Sequence, residues 1–187
     1  MIKIIHDGHL GGYVEGGDDG TYAPKLWDAL IADLDIKSMV DIGCGEGHSS
    51  KYFADKRIRV LAIDGSKKVL ATAVYRPIII HDYCESAYIP DRIYDLSWCC
   101  ECLEHIDEKY IPNFMATFKK SKIAAITHAL PGQGGYHHIN EKDDVYWIEQ
   151  FKKYGFKYNE EASIKYRAID EDTYFSISGM IFINKEP

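Results

Sequence analysis

The chain carries two groups of residues whose types and spacing could do chemistry. In Val40-Asp41-Ile42-Gly43-Cys44-Gly45-Glu46-Gly47 an apolar run ends in glycines spaced G-x-G-x-G. Such a turn lets a ligand touch bare backbone at the carboxyl edge of a parallel sheet. The next apolar run, Val60-Leu61-Ala62-Ile63, ends in Asp64, a carboxylate for ribose hydroxyls roughly 20 residues on. Asp41 sits within an apolar strand, where an unpaired carboxylate is costly. It therefore caps the turn, meets a ligand, or does both. His81-Asp82-Tyr83 follows a third apolar run and offers a polar group and a ring to a purine.

The second group lies in Cys99-Cys100-Glu101-Cys102-Leu103-Glu104-His105-Ile106. If a helix starts near Glu101, then Glu101, Glu104 and His105 share a face at i, i+3 and i+4. Oxygen ligands with one nitrogen suit Mg²⁺, Mn²⁺ or Zn²⁺. Cys99, Cys102 and His105 also read C-x-x-C-x-x-H, but no fourth ligand accompanies them, and buried cysteines ending a strand are expected instead. Candidates for taking a proton from an acceptor are His105, His128, His137 and His138, since imidazole titrates near neutrality. The tandem His137-His138 lies in a glycine-rich loop.

These residues need a frame. Residues 6–20 are rich in Gly and Asp and predict a loop-rich arm. Apolar spacing predicts a helix over 21–35 with Pro24 in its first turn. Strands are predicted at 38–42, 59–63, 78–80, 94–99 and 122–127. Helices are predicted at 46–54, 66–73 (capped by Ser66), 104–120 (bent near Pro112) and 140–154. The alternating tail around 177–183 predicts two antiparallel strands. Short apolar strands between helices imply an α/β, Rossmann-like fold. Its sheet should have seven, mostly parallel strands, helices on both faces and a C-terminal antiparallel hairpin. No linker divides residues 1–187, so one domain is expected, with an arm and helix (1–37), a ligand-binding core (38–128) and an acceptor side (129–187).

Bulk properties narrow the partners. The 187 residues carry a formal net charge of -7, which argues against wide electrostatic wrapping of nucleic acid. No apolar run is long enough to cross a bilayer. Met1–Ile5 is followed at once by His6, Asp7 and Gly8, which is not a signal-peptide pattern. Five cysteines, three of them clustered, do not read as a disulfide framework, so a reducing, cytoplasmic setting is expected.

The order and spacing of the elements over residues 38–128 resemble the class I S-adenosylmethionine-dependent methyltransferases. The resemblance implies Asp41, Gly43 and Gly45 for the methionine moiety and Asp64 for the ribose, with Gly65 and Ser66 also binding the cofactor. It implies Asp82 and Tyr83 for the adenine, and Trp98 and Cys99 on the methyl side. Tyr22 is a candidate lid over the methyl donor or a helix-start aromatic packed on the core. The G-x-G-x-G spacing and the polar strand ends set the chain apart from nicotinamide- and flavin-binding Rossmann enzymes.

Glu101-x-x-Glu104-His105 resembles a segment of ubiquinone-pathway O-methyltransferases and of small-RNA 2′-O-methyltransferases. In the RNA enzymes, that string and a later histidine bind a metal that contacts acceptor hydroxyls. This implies a divalent ion on Glu101, Glu104, His105 and His137 or His138, of which His138 is favoured. The arm and the 127–138 loop resemble small methyltransferases acting on glycans and secondary metabolites. The expectation is O-methylation of a sugar or other small hydroxylated acceptor. RNA ribose methylation and a non-catalytic, methyltransferase-like binding subunit remain alternatives.

Overall fold

Residues 3–187 are described by the computed structural model. The arm forms two short strands, β1 (Ile4–His6) and β2 (Gly12–Val14), paired antiparallel. Then come α1 (Pro24–Leu34), β3 (Ser38–Ile42), α2 (His48–Asp55), β4 (Arg59–Asp64), β5 (Ile78–Ile80) and β6 (Tyr94–Cys99). The chain continues through α3 (Ile111–Phe118), β7 (Ser121–Ile126), α4 (Asp144–Lys153), β8 (Phe156–Tyr158), α5 (Glu160–Arg167), α6 (Tyr174–Ser178) and β9 (Met180–Asn184).

Seven strands form the main sheet in the order β5-β4-β3-β6-β7-β9-β8. The first five are parallel, and β9 runs antiparallel to both β7 and β8. The order steps outward from β3 in both directions, so a crevice opens at the carboxyl ends of β3 and β6, where ligands bind in open α/β sheets. The antiparallel pair expected at the C-terminus is β8 with β9. It is joined by α5 and α6 rather than by a tight turn, and Ile177 and Ser178 belong to α6.

Strand alternation divides the core between the two faces. Met39, Leu96 and Trp98 pack with Leu26, Trp27 and Leu30 of α1, Phe53 of α2, Tyr166 of α5 and Phe175 of α6. Val40, Ile42, Cys99 and Ile126 pack on the other face with Phe114 and Phe118 of α3 and Trp147 and Phe151 of α4. Pro24 opens α1 as expected. The helix predicted from 46 starts at His48, because Gly45 and Gly47 take left-handed backbone in the turn. The helix predicted over 66–73 is a 3-10 turn, Lys67–Ala71, capped by Ser66. That predicted over 104–120 is split into 3-10 turns at Leu103–His105 and Glu108–Tyr110 before α3. The Glu104 carbonyl accepts amides from Ile139 and Asn140 at 3.0 Å each. The backbone there is committed to the loop, not to a helix. No helix among the described residues is long and apolar enough to cross a membrane.

Candidate active site

A cavity of about 490 Å³ opens over the carboxyl edge of the sheet. Its floor is the glycine turn. The Gly43 and Cys44 amides donate to the Ile63 carbonyl at 2.9 and 3.0 Å, pinning the turn to β4. A Cβ added at Gly45 would meet nothing within 4 Å, and Gly45 has φ +54°. Its backbone is therefore bare toward the cavity, as a bound ligand requires.

Asp64 stitches this floor together. One oxygen accepts the Gly45 N–H and the other the Ser66 N–H, each at 2.8 Å. Burial pushes its carboxyl above the usual range. Asp41 is buried beneath the turn and accepts the hydroxyls of Ser49 and Ser50 at 2.6 and 2.5 Å. Burial raises it to about 6, against those hydrogen bonds. Asp41 thus anchors the start of α2 and also lines the cavity. Trp98, its register partner on β6, lines the cavity from the same sheet face.

At the far end Asp82 accepts the Cys84 N–H at 2.7 Å, and its second oxygen lies 2.6 Å from His9 Nε2. Burial alone would raise this carboxyl, but hydrogen bonds from His9 and Cys84 hold it below the usual range. Tyr83 presents an edge to the cavity while its hydroxyl pairs with Thr117 at 2.9 Å.

At the opposite end one ligand atom each from Glu104, His105 and His138 lies within 4.8 Å of the others. Glu104 is fully buried, and neither carboxylate oxygen has a hydrogen-bonding partner of proper geometry. Burial, then the charge of Glu101, drives its carboxyl well above the usual range. His105 is pushed down to about 4 by burial and by His138. His138 is oriented by Glu141, whose carboxylate lies 3.2 Å from Nδ1. Glu101 stands outside this trio. It takes left-handed backbone at φ +49° and is held by Thr127 at 2.7 Å and Gln133 at 3.3 Å. An orphaned buried carboxylate between two imidazoles fits a divalent cation.

Asp41, Gly43, Gly45, Asp64, Gly65, Ser66, Asp82, Tyr83, Trp98, Glu101, Glu104, His105 and His138 therefore meet in one cavity. Cys99, Tyr22 and His137 do not line it. Cys99 follows Trp98 on the strand and so points into the opposite core. Tyr22 stands edge-on to Trp27 at 5.2 Å and to Tyr52 at 6.3 Å, and lines a smaller adjoining pocket with Gly17, Asp18 and His48. His137, at φ +58°, offers only its carbonyl, 3.3 Å from His105 Nδ1.

The arm supplies site residues that the sequence did not disclose. Asp7 accepts the Ser66 hydroxyl at 2.5 Å and pairs with Lys68 at 2.9 Å. His6 meets Tyr136 with ring centroids 3.9 Å apart. A Cβ at Gly11 would lie 2.7 Å from the His105 ring, so only glycine lets the arm lie there. The Gly16 N–H reaches buried Glu46 at 2.8 Å. The arm thus roofs the cavity from end to end. Eight carboxylates and six histidines line the space, with no lysine or arginine among the described residues.

Comparison with known proteins agrees with this geometry. A methyltransferase-domain family matches residues 40–121. The ubiquinone biosynthesis O-methyltransferase of Nitrosomonas europaea is 32% identical over 92 residues, 43% of this chain and 38% of that protein. The match thus spans well under half of that relative's length. Among solved structures, the methyltransferase domain of bacterial CtHen1-C superposes with TM-score 0.59 at 17% identity, covering 86% of this chain and 97% of that one. The plantazolicin methyltransferase BpumL, solved with SAH, gives TM-score 0.57 at 12% identity, covering 86% and 81%. Residues 40–121 match the methyltransferase-domain family, and the fold built around them is that of the superposed methyltransferase structures.

Proposed function

We propose that this chain moves the methyl group of S-adenosylmethionine to a hydroxyl of a small, polyhydroxylated acceptor such as a sugar, with a divalent cation on Glu104, His105 and His138. One observation carries the reading. The orphaned Glu104 carboxylate and its two imidazoles share a cavity with the glycine turn, Asp64 and Asp82. The ubiquinone-pathway relative supports oxygen as the accepting atom. A cavity without lysine or arginine supports a neutral acceptor over a phosphate chain.

Methyl transfer from a sulfonium is an in-line displacement, so the protein mainly positions its reactants. Bare backbone at Gly45, next to Gly43, takes the methionine moiety, with Asp41 fixing the turn beneath. Asp64, Gly65 and Ser66 face the ribose, and Asp82 and Tyr83 the adenine. Trp98 closes the methyl side. When bound, a divalent cation lowers the pKa of the acceptor hydroxyl. His138, oriented by Glu141, serves as a ligand of the cation, and only with the cation absent is its other ring nitrogen available to take the hydroxyl proton. The low basicity of His105 suits it to a ligand rather than a base. The five free cysteines suit a reducing, cytoplasmic setting.

The test is radiolabelled methyl transfer from S-adenosylmethionine into fractionated host extract, with and without chelator. Chelator-sensitive label in the glycan or small-molecule fraction supports the reading. Label in RNA replaces the acceptor, and chelator-insensitive label removes the cation. Absence of label despite measured cofactor binding favours a binding subunit.

A further inference from the structure

A second set of metal-ligand atoms closes the nucleoside end of the cavity. His9 Nε2, an Asp82 carboxylate oxygen and Cys84 Sγ all lie within 4.8 Å of one another. The proposed methyl transfer uses neither His9 nor Cys84. Asp82 and Cys84 sit on one turn, locked by the Cys84 N–H to Asp82 bond at 2.7 Å. That bond occupies one carboxylate oxygen and leaves the other facing His9, which the arm carries on its 3-10 turn Gly8–Leu10. All three side chains line the cavity.

Imidazole, carboxylate and thiolate together are the donor mix of a borderline ion, not of magnesium or calcium. In a tetrahedral zinc site ligand atoms stand roughly 3.3–3.5 Å apart, as follows from the bond lengths. His9, exposed on the arm, is free to make that adjustment. We propose that His9, Asp82 and Cys84 form a second cation site, for zinc or a similar ion, that pins the arm across the nucleoside end. The fourth position is left to water.

As the metal–sulfur bond forms, the Cys84 thiol releases its proton to solvent. The site stands independently of the methyltransferase reading. Its consequence rests on that reading. With Asp82 engaged and the arm pinned, S-adenosylmethionine binds more weakly.

Cobalt(II) reports on the site, because a cobalt–thiolate bond gives a near-ultraviolet charge-transfer band. The cluster at Glu104 contains no thiol, and Glu104→Gln disables it. In that variant we expect about one equivalent of cobalt, the thiolate band, and a zinc-dependent rise in Tm. Adding Cys84→Ser abolishes the band and the rise. Adding His9→Ala, at an exposed position, weakens cobalt binding at least ~10-fold. Absence of the band, or its survival in Cys84→Ser, overturns the site. Zinc should also raise the apparent Kd for S-adenosylmethionine at least ~10-fold in Glu104→Gln and not after Cys84→Ser. A cobalt band with unchanged cofactor affinity keeps the site and overturns the competition.

Discussion

Replacing Glu104 with methionine should stabilise the protein while ending its response to Mn²⁺. Each buried oxygen without a partner costs about 1–3 kcal/mol. Glu104 has two such oxygens, so even the lower figure for both gives about 2 kcal/mol. In a chain of this size 1 kcal/mol moves Tm by about 2–4 °C, which gives a rise of about 4–8 °C. Methionine has similar length and no polar atom to leave unsatisfied.

The pH dependence has a definite sign. The folded-state pKa of Glu104 lies above its unfolded value. The unfolded chain therefore ionises first, and wild-type stability falls as pH rises from the unfolded toward the folded pKa. The advantage of Glu104→Met should be larger at about pH 8 than at about pH 5. Thermal unfolding by circular dichroism, in chelator and then with Mn²⁺, measures both effects. A variant that melts below wild type in chelator at the higher pH would refute the reasoning, because Glu104 would then be satisfied in the resting protein.

His138→Ala should lower kcat by at least ~100-fold while changing the calorimetric Kd for S-adenosylmethionine little; equal losses in both would make His138 structural. Asp64→Ala should weaken cofactor binding and also destabilise the turn, since two backbone amides lose charge-assisted acceptors. Asp64→Asn, which keeps one acceptor, should separate the two effects, and unchanged affinity in both variants would remove Asp64 from the ribose. The raised Asp41 pKa, about 6, means that stability from this group falls as pH rises through that window, by about 3 kcal/mol. Asp41→Asn should flatten that limb in urea unfolding, and an unchanged profile would deny the burial argument.

The cofactor half of the site was legible because its residues announce strand ends. The predicted strand over 38–42 is β3 itself, and Asp64 closes β4 where the apolar run stops. Period-two alternation also separates Trp98 from Cys99. Trp98 and Cys99 are neighbours on β6, so one had to face away from any shared cavity. The arm was illegible because Gly and Asp give no periodicity, and its meaning lies in contacts with Ser66, Asp82 and Tyr136 far along the chain. His138 was found as a candidate without a mechanism of placement. That mechanism is the pair of loop amides bound to the Glu104 carbonyl, a tertiary contact with no sequence signature. The expected shared helical face for Glu101, Glu104 and His105 failed for the same reason.

The acidic lining has a consequence for turnover. The methyl donor is a sulfonium and its spent form a neutral thioether, so each reaction deletes one positive charge from inside the cavity. A lining rich in acidic groups, without a lysine or arginine, attracts the charged form more strongly than the discharged one. The chemistry itself then loosens the protein's hold on what it has used. Exchange of product for fresh cofactor is biased by electrostatics alone, and added salt should erode that preference as it screens the field.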